Sequence, residues 1–204
     1  MTSPIPEETP RPSPGAEFVG SWYTWWPGDP LPTLPPLPDF ITAPADDRTF
    51  AAAAGIDVEE VVTTRRFGNQ PYLARFAGEP VAYGWSTGSR VEIGEVGLSF
   101  TLPPGERYLW GFVTREQWRG RGIYPHLLRA ILRHEESERA RYWIGHDPGN
   151  QASAKGILKA GFGRVGDVYR LTEGRLVLVP VGPIERARVG AALLGAELND
   201  RSAT

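Results

Sequence analysis

The chain has no cysteine, one methionine, two lysines and three histidines in 204 residues. Each scarcity removes a chemistry. Without cysteine there is no disulfide, no zinc–thiolate site and no enzyme-bound thioester, so any thioester handled here passes its acyl group directly from donor to acceptor. His126, His134 and His146 show neither H-x-x-x-H nor H-x-H spacing, and no metal site is expected. No run approaches the roughly 18 apolar residues of a membrane span. Met1-Thr2-Ser3-Pro4 lacks the basic and apolar regions of a signal peptide. The expectation is a cytoplasmic protein without a membrane partner. A formal charge of −2 and scattered arginines offer no strip for nucleic acid.

Proline and tryptophan are plentiful but unevenly placed. Residues 1–15 hold five prolines and no apolar periodicity, and read as a disordered tail. Residues 16–39 gather Trp22, Tyr23, Trp25 and Trp26 ahead of a proline series running from Pro27 to Pro38. Prolines disfavour helix and interior strand, so this stretch reads as an extended arm pasted onto the body. Its aromatics serve either packing or a substrate wall. Residues 40–198 read as one α/β domain with a mixed sheet, and 199–204 as a second tail.

Within the domain, Phe40-Ile41 reads as a short strand and 46–67 as helix broken at Gly55, with Asp57 as a cap. A hairpin is predicted over 71–77 and 80–87, a strand near 94–101, and a central strand over 106–114. Apolar residues at Ile123, Leu127, Leu128, Ile131 and Leu132 mark a helix over about 120–136. Tyr142-Trp143-Ile144 predicts a strand, 150–160 a helix, 162–170 and 174–180 two closing strands, and 183–198 a final helix.

The most informative segment is Gln117-Trp118-Arg119-Gly120-Arg121-Gly122, a glycine-bearing turn between the central strand and the following helix. Such a turn lets main chain approach an anion and aims unpaired N–H groups at it. The helix dipole and the side chains of Arg119 and Arg121 add positive potential there. A P-loop needs GxxxxGK followed by Ser or Thr, which is missing; a Rossmann fingerprint needs Gly or Ala where Pro125 stands. The turn that remains is Q-x-x-G-x-G, a cradle for a pyrophosphate.

With Glu116 ahead and Ile123 behind, this turn resembles the acyl-CoA motif of the GNAT acetyltransferase superfamily. Asn150-Gln151-Ala152-Ser153, continuing to Lys159-Ala160-Gly161-Phe162, resembles that family's N-x-A-S…K-x-G-F helix. The likeness covers roughly residues 40–180. It implies a mixed sheet splayed between two central strands, with acetyl-CoA in the gap. Phe112 and Val113 would pair with the pantetheine arm. The amides of residues 118–123, including Ile123, would hold the pyrophosphate, and Asn150 and Ser153 would line the cofactor's path.

For the chemistry, the resemblance implies a backbone donor to the thioester oxygen, for which Val113 is the candidate. Many family members carry a tyrosine where this chain has Ile157. Ser153 matches a variant in which serine protonates the leaving thiolate. Glu106, ten residues before Glu116, stands at the offset of a basic glutamate in the histone-acetylating branch. His146 follows the strand at 142–145, and an imidazole's titration near neutrality suits a base. Glu92, Glu95 and Glu106 are candidates for attracting a cationic acceptor. The expected function is direct acetyl transfer from acetyl-CoA to a primary amine, on a small molecule or a peptide N-terminus, by a chain that is a candidate homodimer. The alternative is a non-catalytic acyl-CoA sensor or interaction module.

Overall fold

The computed structural model describes residues 15–94, 97–135 and 141–199. The expectations for residues 1–14, for Glu95 and for 200–204 lie outside the described residues. In chain order the elements are β1 (Glu17–Trp25), β2 (Phe40–Pro44), α1 (Asp47–Ala54), α2 (Val58–Arg66), β3 (Asn69–Phe76), β4 (Glu79–Thr87), β5 (Arg90–Ile93), β6 (Leu98–Thr101) and β7 (Glu106–Thr114). There follow α3 (Ile123–His134), β8 (Arg141–His146), α4 (Gln151–Ala160), β9 (Gly163–Arg170), β10 (Leu176–Pro180), α5 (Ile184–Leu194) and β11 (Glu197–Leu198). Nine strands form one mixed sheet in the order β11-β10-β9-β1-β8-β7-β4-β3-β2, with β5 and β6 as a separate hairpin.

The apolar stripe of α3 explains its place. Leu127, Leu128, Ile131 and Leu132 are almost fully buried with Tyr23, Tyr142 and Ile157, so α3 and α4 cover one face of the sheet. On the other face Trp22, Tyr108 and Trp143 pack with Phe100 of β6 and with α5. A smaller cluster, Phe50, Val61, Leu73 and Trp85, seats α1 and α2.

The N-terminal segment departs from the expectation of an arm. Residues 17–25 form an interior strand, paired antiparallel to both β8 and β9. Every proline of the series falls after Trp26, so none removes a ladder hydrogen bond from β1. The alternation of β1 sends Trp22 to one core and Tyr23 to the other, each under 5 % exposed. Residues 26–39 carry no regular structure. Leu31 and Leu37 pack on the α3–α4 core, and a Cβ on Gly161 would lie 2.8 Å from Pro32, so the segment crosses the end of α4 in close contact. Trp26 lies beneath the guanidinium groups of both Arg141 and Arg186. The strand expected near 94–101 is instead a hairpin of two short strands.

β7 and β8 run parallel but pair only at Glu106–Arg141, Arg107–Tyr142 and Tyr108–Trp143. Beyond Tyr108, β7 stays with β4 and β8 stays with β1. The strands therefore part, and a wedge opens between them. A register shift between Tyr83 and Trp85, opposite Gly111 at φ +64°, bends β7 at the start of the wedge.

Candidate functional site

Glu116–Trp118 make a single tight turn in which Trp118 N–H donates to Arg115 O and Arg119 N–H to Glu116 O. These two amides, expected to serve an anion, are therefore spent on the turn itself. Gly120 and Gly122 then adopt φ of +76° and +77°, a left-handed backbone that favours glycine. Nothing stands within 4 Å of where a Cβ on Gly120 would project, so the turn is open on that side. α3 starts at Ile123 without a side-chain cap, and its first bond runs from His126 N–H to Gly122 O. The N–H groups of Gly120, Arg121, Gly122, Ile123 and Tyr124 find no acceptor among the described residues. Pro125, in the first turn, has no N–H to leave unpaired. The donor set thus runs over 120–124, where the sequence expectation was 118–123. Gln117 is exposed, Arg119 Nε holds Thr114 O at 3.2 Å, and Arg121 lies across the Trp118 ring.

The turn stands at the mouth of a cleft of about 1570 Å3 that runs along the wedge. Arg115 N–H donates to Val81 O, so the antiparallel alternation directs Val113 toward β4 and turns Phe112 and Thr114 to the open edge. Arg119 reaching Thr114 O from that edge agrees. Phe112, not Val113, carries the amide facing the gap. The expectation for Val113 missed this because a one-residue shift in register exchanges the two edges of a strand. The Phe112 ring lies over Gly84, where a Cβ would be 2.2 Å away.

On the opposite wall, Asn150 Oδ1 accepts Ser153 N–H at 3.1 Å and caps α4. Ser153 Oγ lies 3.4 Å from the hydroxyl of Tyr124. Burial pushes the Tyr124 phenol up, so it keeps its proton across the neutral range. Sequence reasoning missed Tyr124. The available signal was Gly156, one position before Ile157: a Cβ there would be 2.4 Å from the Tyr124 ring, so a glycine on α4 makes room for a tyrosine from α3.

The three residues named for proton transfer separate. Ser153 and His146 line the cleft. Glu106 does not: it sits where β7 and β8 still pair, buried, taking the indole N–H of Trp143 at 2.6 Å and Arg141 at 3.4 Å. That carboxylate braces the closed end of the wedge. His146 Nδ1 faces the carbonyl of Asp147 at 2.8 Å, which accepts only, so Nδ1 carries the proton. Its Nε2 then takes the hydroxyl of Tyr23 at 3.1 Å. Burial pushes the Tyr23 phenol up as well.

Charge is divided along the cleft. The α3–α4 end carries Arg119, Lys155 and Lys159, and the two lysines have no ion-pair partner among the described residues. The other end carries Arg90 and Glu92, paired with each other at 2.9 Å. No cluster of three or more His, Asp or Glu capable of holding a metal occurs among the described residues. No helix among them is long and apolar enough to cross a membrane.

The site is thus a mixed sheet parted at its centre, with an open glycine turn at the head of its central helix. The chain belongs to the GNAT acetyltransferase family: the family model for the acetyltransferase (GNAT) domain matches residues 42–163. Solved structures are similar to it, and the first two below share the fold. A GCN5-related N-acetyltransferase from Sphaerobacter thermophilus is 15% identical, with a TM-score of 0.53 over 76% of this chain and 51% of that one. An AAC(6')-Ib structure in complex with paromomycin and acetyl-CoA is 18% identical, with a TM-score of 0.50 over 67% and 89%. A GNAT-family acetyltransferase from Colwellia psychrerythraea is 18% identical, with a TM-score of 0.48 over 74% and 55%. The chain spans about half the length of the first and third. No curated protein sequence matches it significantly.

Proposed function

We propose that the protein is an N-acetyltransferase that moves an acetyl group from acetyl-CoA to a primary amine. The observation that carries this reading is the run of five amides from Gly120 to Tyr124 without a partner among the described residues, at the mouth of a wedge where β7 and β8 no longer pair. A diphosphate suits the first and a linear amide-bearing arm suits the second. The Gly120 cradle, open where a side chain would stand, fits such a group. Lys155 and Lys159 add the cationic surroundings that a phosphorylated ligand favours.

The thioester supplies an activated carbonyl: the amine nitrogen bonds to its carbon, the C–S bond breaks, and the proton lost by nitrogen balances the one gained by sulfur. The amide of Phe112 is the donor to the carbonyl oxygen as it gains charge. Ser153, backed by Tyr124, supplies the hydroxyl proton on the sulfur side. His146 is the assigned base, with Nε2 as its basic nitrogen once the hydrogen bond shared with Tyr23 opens. Holding the reactants in register supplies much of the rate.

A second reading, a non-catalytic acyl-CoA sensor, is favoured by one observation: both ring nitrogens of His146 and the carboxylate of Glu106 already have protein partners. The test joins two measurements. Titration calorimetry with coenzyme A should show saturable binding, and incubation of acetyl-CoA with an amine panel should release free thiol. No binding at millimolar coenzyme A overturns both readings; binding without thiol release from any amine leaves the sensor.

A further inference from the structure

The half of the cleft away from α3 and α4 carries a distinct composition. Its floor is Tyr108 and Trp110, two residues apart on β7. Each ring has an aromatic backing: Tyr108 stacks on Trp22 at 5.4 Å, and Trp110 on Trp85 at 5.6 Å with 11° between planes. The Trp110 indole N–H is taken by Asn69 at 3.0 Å, so the ring makes no polar demand on whatever covers it. Val91 and Ile93 of the β5 hairpin line the same space, and Phe67, 68% exposed, stands at its rim.

The charges there are few and spoken for. Glu92 pairs with Arg90, and Glu106 is buried away from the cleft. Of the described carboxylates lining the cleft, Asp147 alone has no ion-pair partner, and it stands beside His146 where the two halves meet. One carboxylate suits one ammonium. A polycation laid along this wall would lose water from several charges and regain little. An aromatic body gains contact with preformed, rigid ring faces, and its single cationic end gains a further attraction from them.

Building on the reading of the wedge as an acetyl-CoA site, we infer that the acceptor is a small primary amine carried on an uncharged aromatic body. This separates the chain's acceptor from the paromomycin named for the AAC(6')-Ib structure. Phe67 and Trp110 are the residues that select it, over a buried Tyr108. Their role is to hold the aromatic body, not to move protons.

The experiment measures thiol release from acetyl-CoA with 2-phenylethylamine, 4-phenylbutylamine, spermidine and kanamycin, while calorimetry follows coenzyme A binding separately. The expected result is a kcat/KM at least about tenfold higher for the aryl amines than for either polycation. Phe67→Ala, at an exposed rim position, should raise the aryl-amine KM about threefold to tenfold with coenzyme A affinity within twofold of the parent. Trp110→Ala should raise it further, and Trp110→Phe should restore most of the loss. Equal or better turnover of spermidine or kanamycin, or an unmoved KM in Phe67→Ala, overturns the inference and leaves the acetyltransferase reading intact. Failure to turn over any amine with coenzyme A bound overturns it too, and absence of coenzyme A binding removes its foundation.

Discussion

The two halves of the cleft are built from different materials. The α3–α4 half is main chain: five amides, two left-handed glycines and the free edge of one strand, from segments close together in sequence. The other half is side chain: rings and aliphatic groups from α2, β5, β7 and the residues between, held by packing partners as distant as Trp22. A main-chain site needs a particular backbone shape, and glycine spacing records that shape. A side-chain site needs only surfaces that meet, and the tertiary fold alone decides which do. In the proposed function the first half serves the phosphate-bearing donor. The other can change its occupant by exchanging a few rings.

The comparison is broken most directly at Gly120. Gly120→Asp places a carboxylate among the amides on a strained backbone, and coenzyme A affinity should fall roughly 100-fold or more, read by calorimetry. Gly120→Asn, which tolerates a left-handed backbone, should lose far less. If the two fall together, backbone shape outweighs charge in that half.

The next effect tests the brace between the halves. Glu106→Ala orphans the buried Trp143 indole N–H and should cost about 1–3 kcal/mol of stability, measured by denaturant unfolding. Glu106→Gln keeps an acceptor for that N–H, and its kcat should stay within about twofold of the parent. A fall of about 100-fold or more, the size expected for a lost general base, would return Glu106 to the chemistry.

Smaller still, Lys155→Ala with Lys159→Ala should weaken coenzyme A about threefold to tenfold, as exposed charge contributions do. The loss should shrink at high salt. Aryl-amine KM should not move.

The last effect concerns the scaffold both halves share. Burial pushes the Asp29 carboxyl up, but two bonds from Arg186 and one from Trp26 N–H outweigh it and hold the group below the usual carboxylate range. The unfolded chain, with an ordinary value of about 3.9, takes up that proton more readily. The contribution is complete above that value and fades as pH falls through the lower folded one. Asp29→Asn should therefore cost about 1–2 kcal/mol near pH 7, with the difference from the parent closing as pH falls through the lowered folded value. Neither half's ligand affinity should change.

Much of this was legible in the sequence. The central strand, the turn, α3 and α4 follow from apolar spacing and from two glycine- and asparagine-led motifs, because local backbone demands leave local marks. What escaped was non-local. β1 was hidden by the prolines beside it, although none lies within it. The edge that Phe112 presents depends on its register against β4, which composition does not encode. Glu106 holds the spacing of a base but meets Trp143 and Arg141, residues brought beside it only by the parallel pairing. Tyr124 became visible once Gly156 was seen across from it.

The interior place of β1 sets a timetable. Thr24 bonds to the carbonyl of Tyr142, 118 positions later in the chain. On a ribosome adding about 5–20 residues per second, β1 waits on the order of ten seconds for β8 to emerge. Meanwhile its tryptophans have no sheet to join, so a newborn copy is open to aggregation through β1.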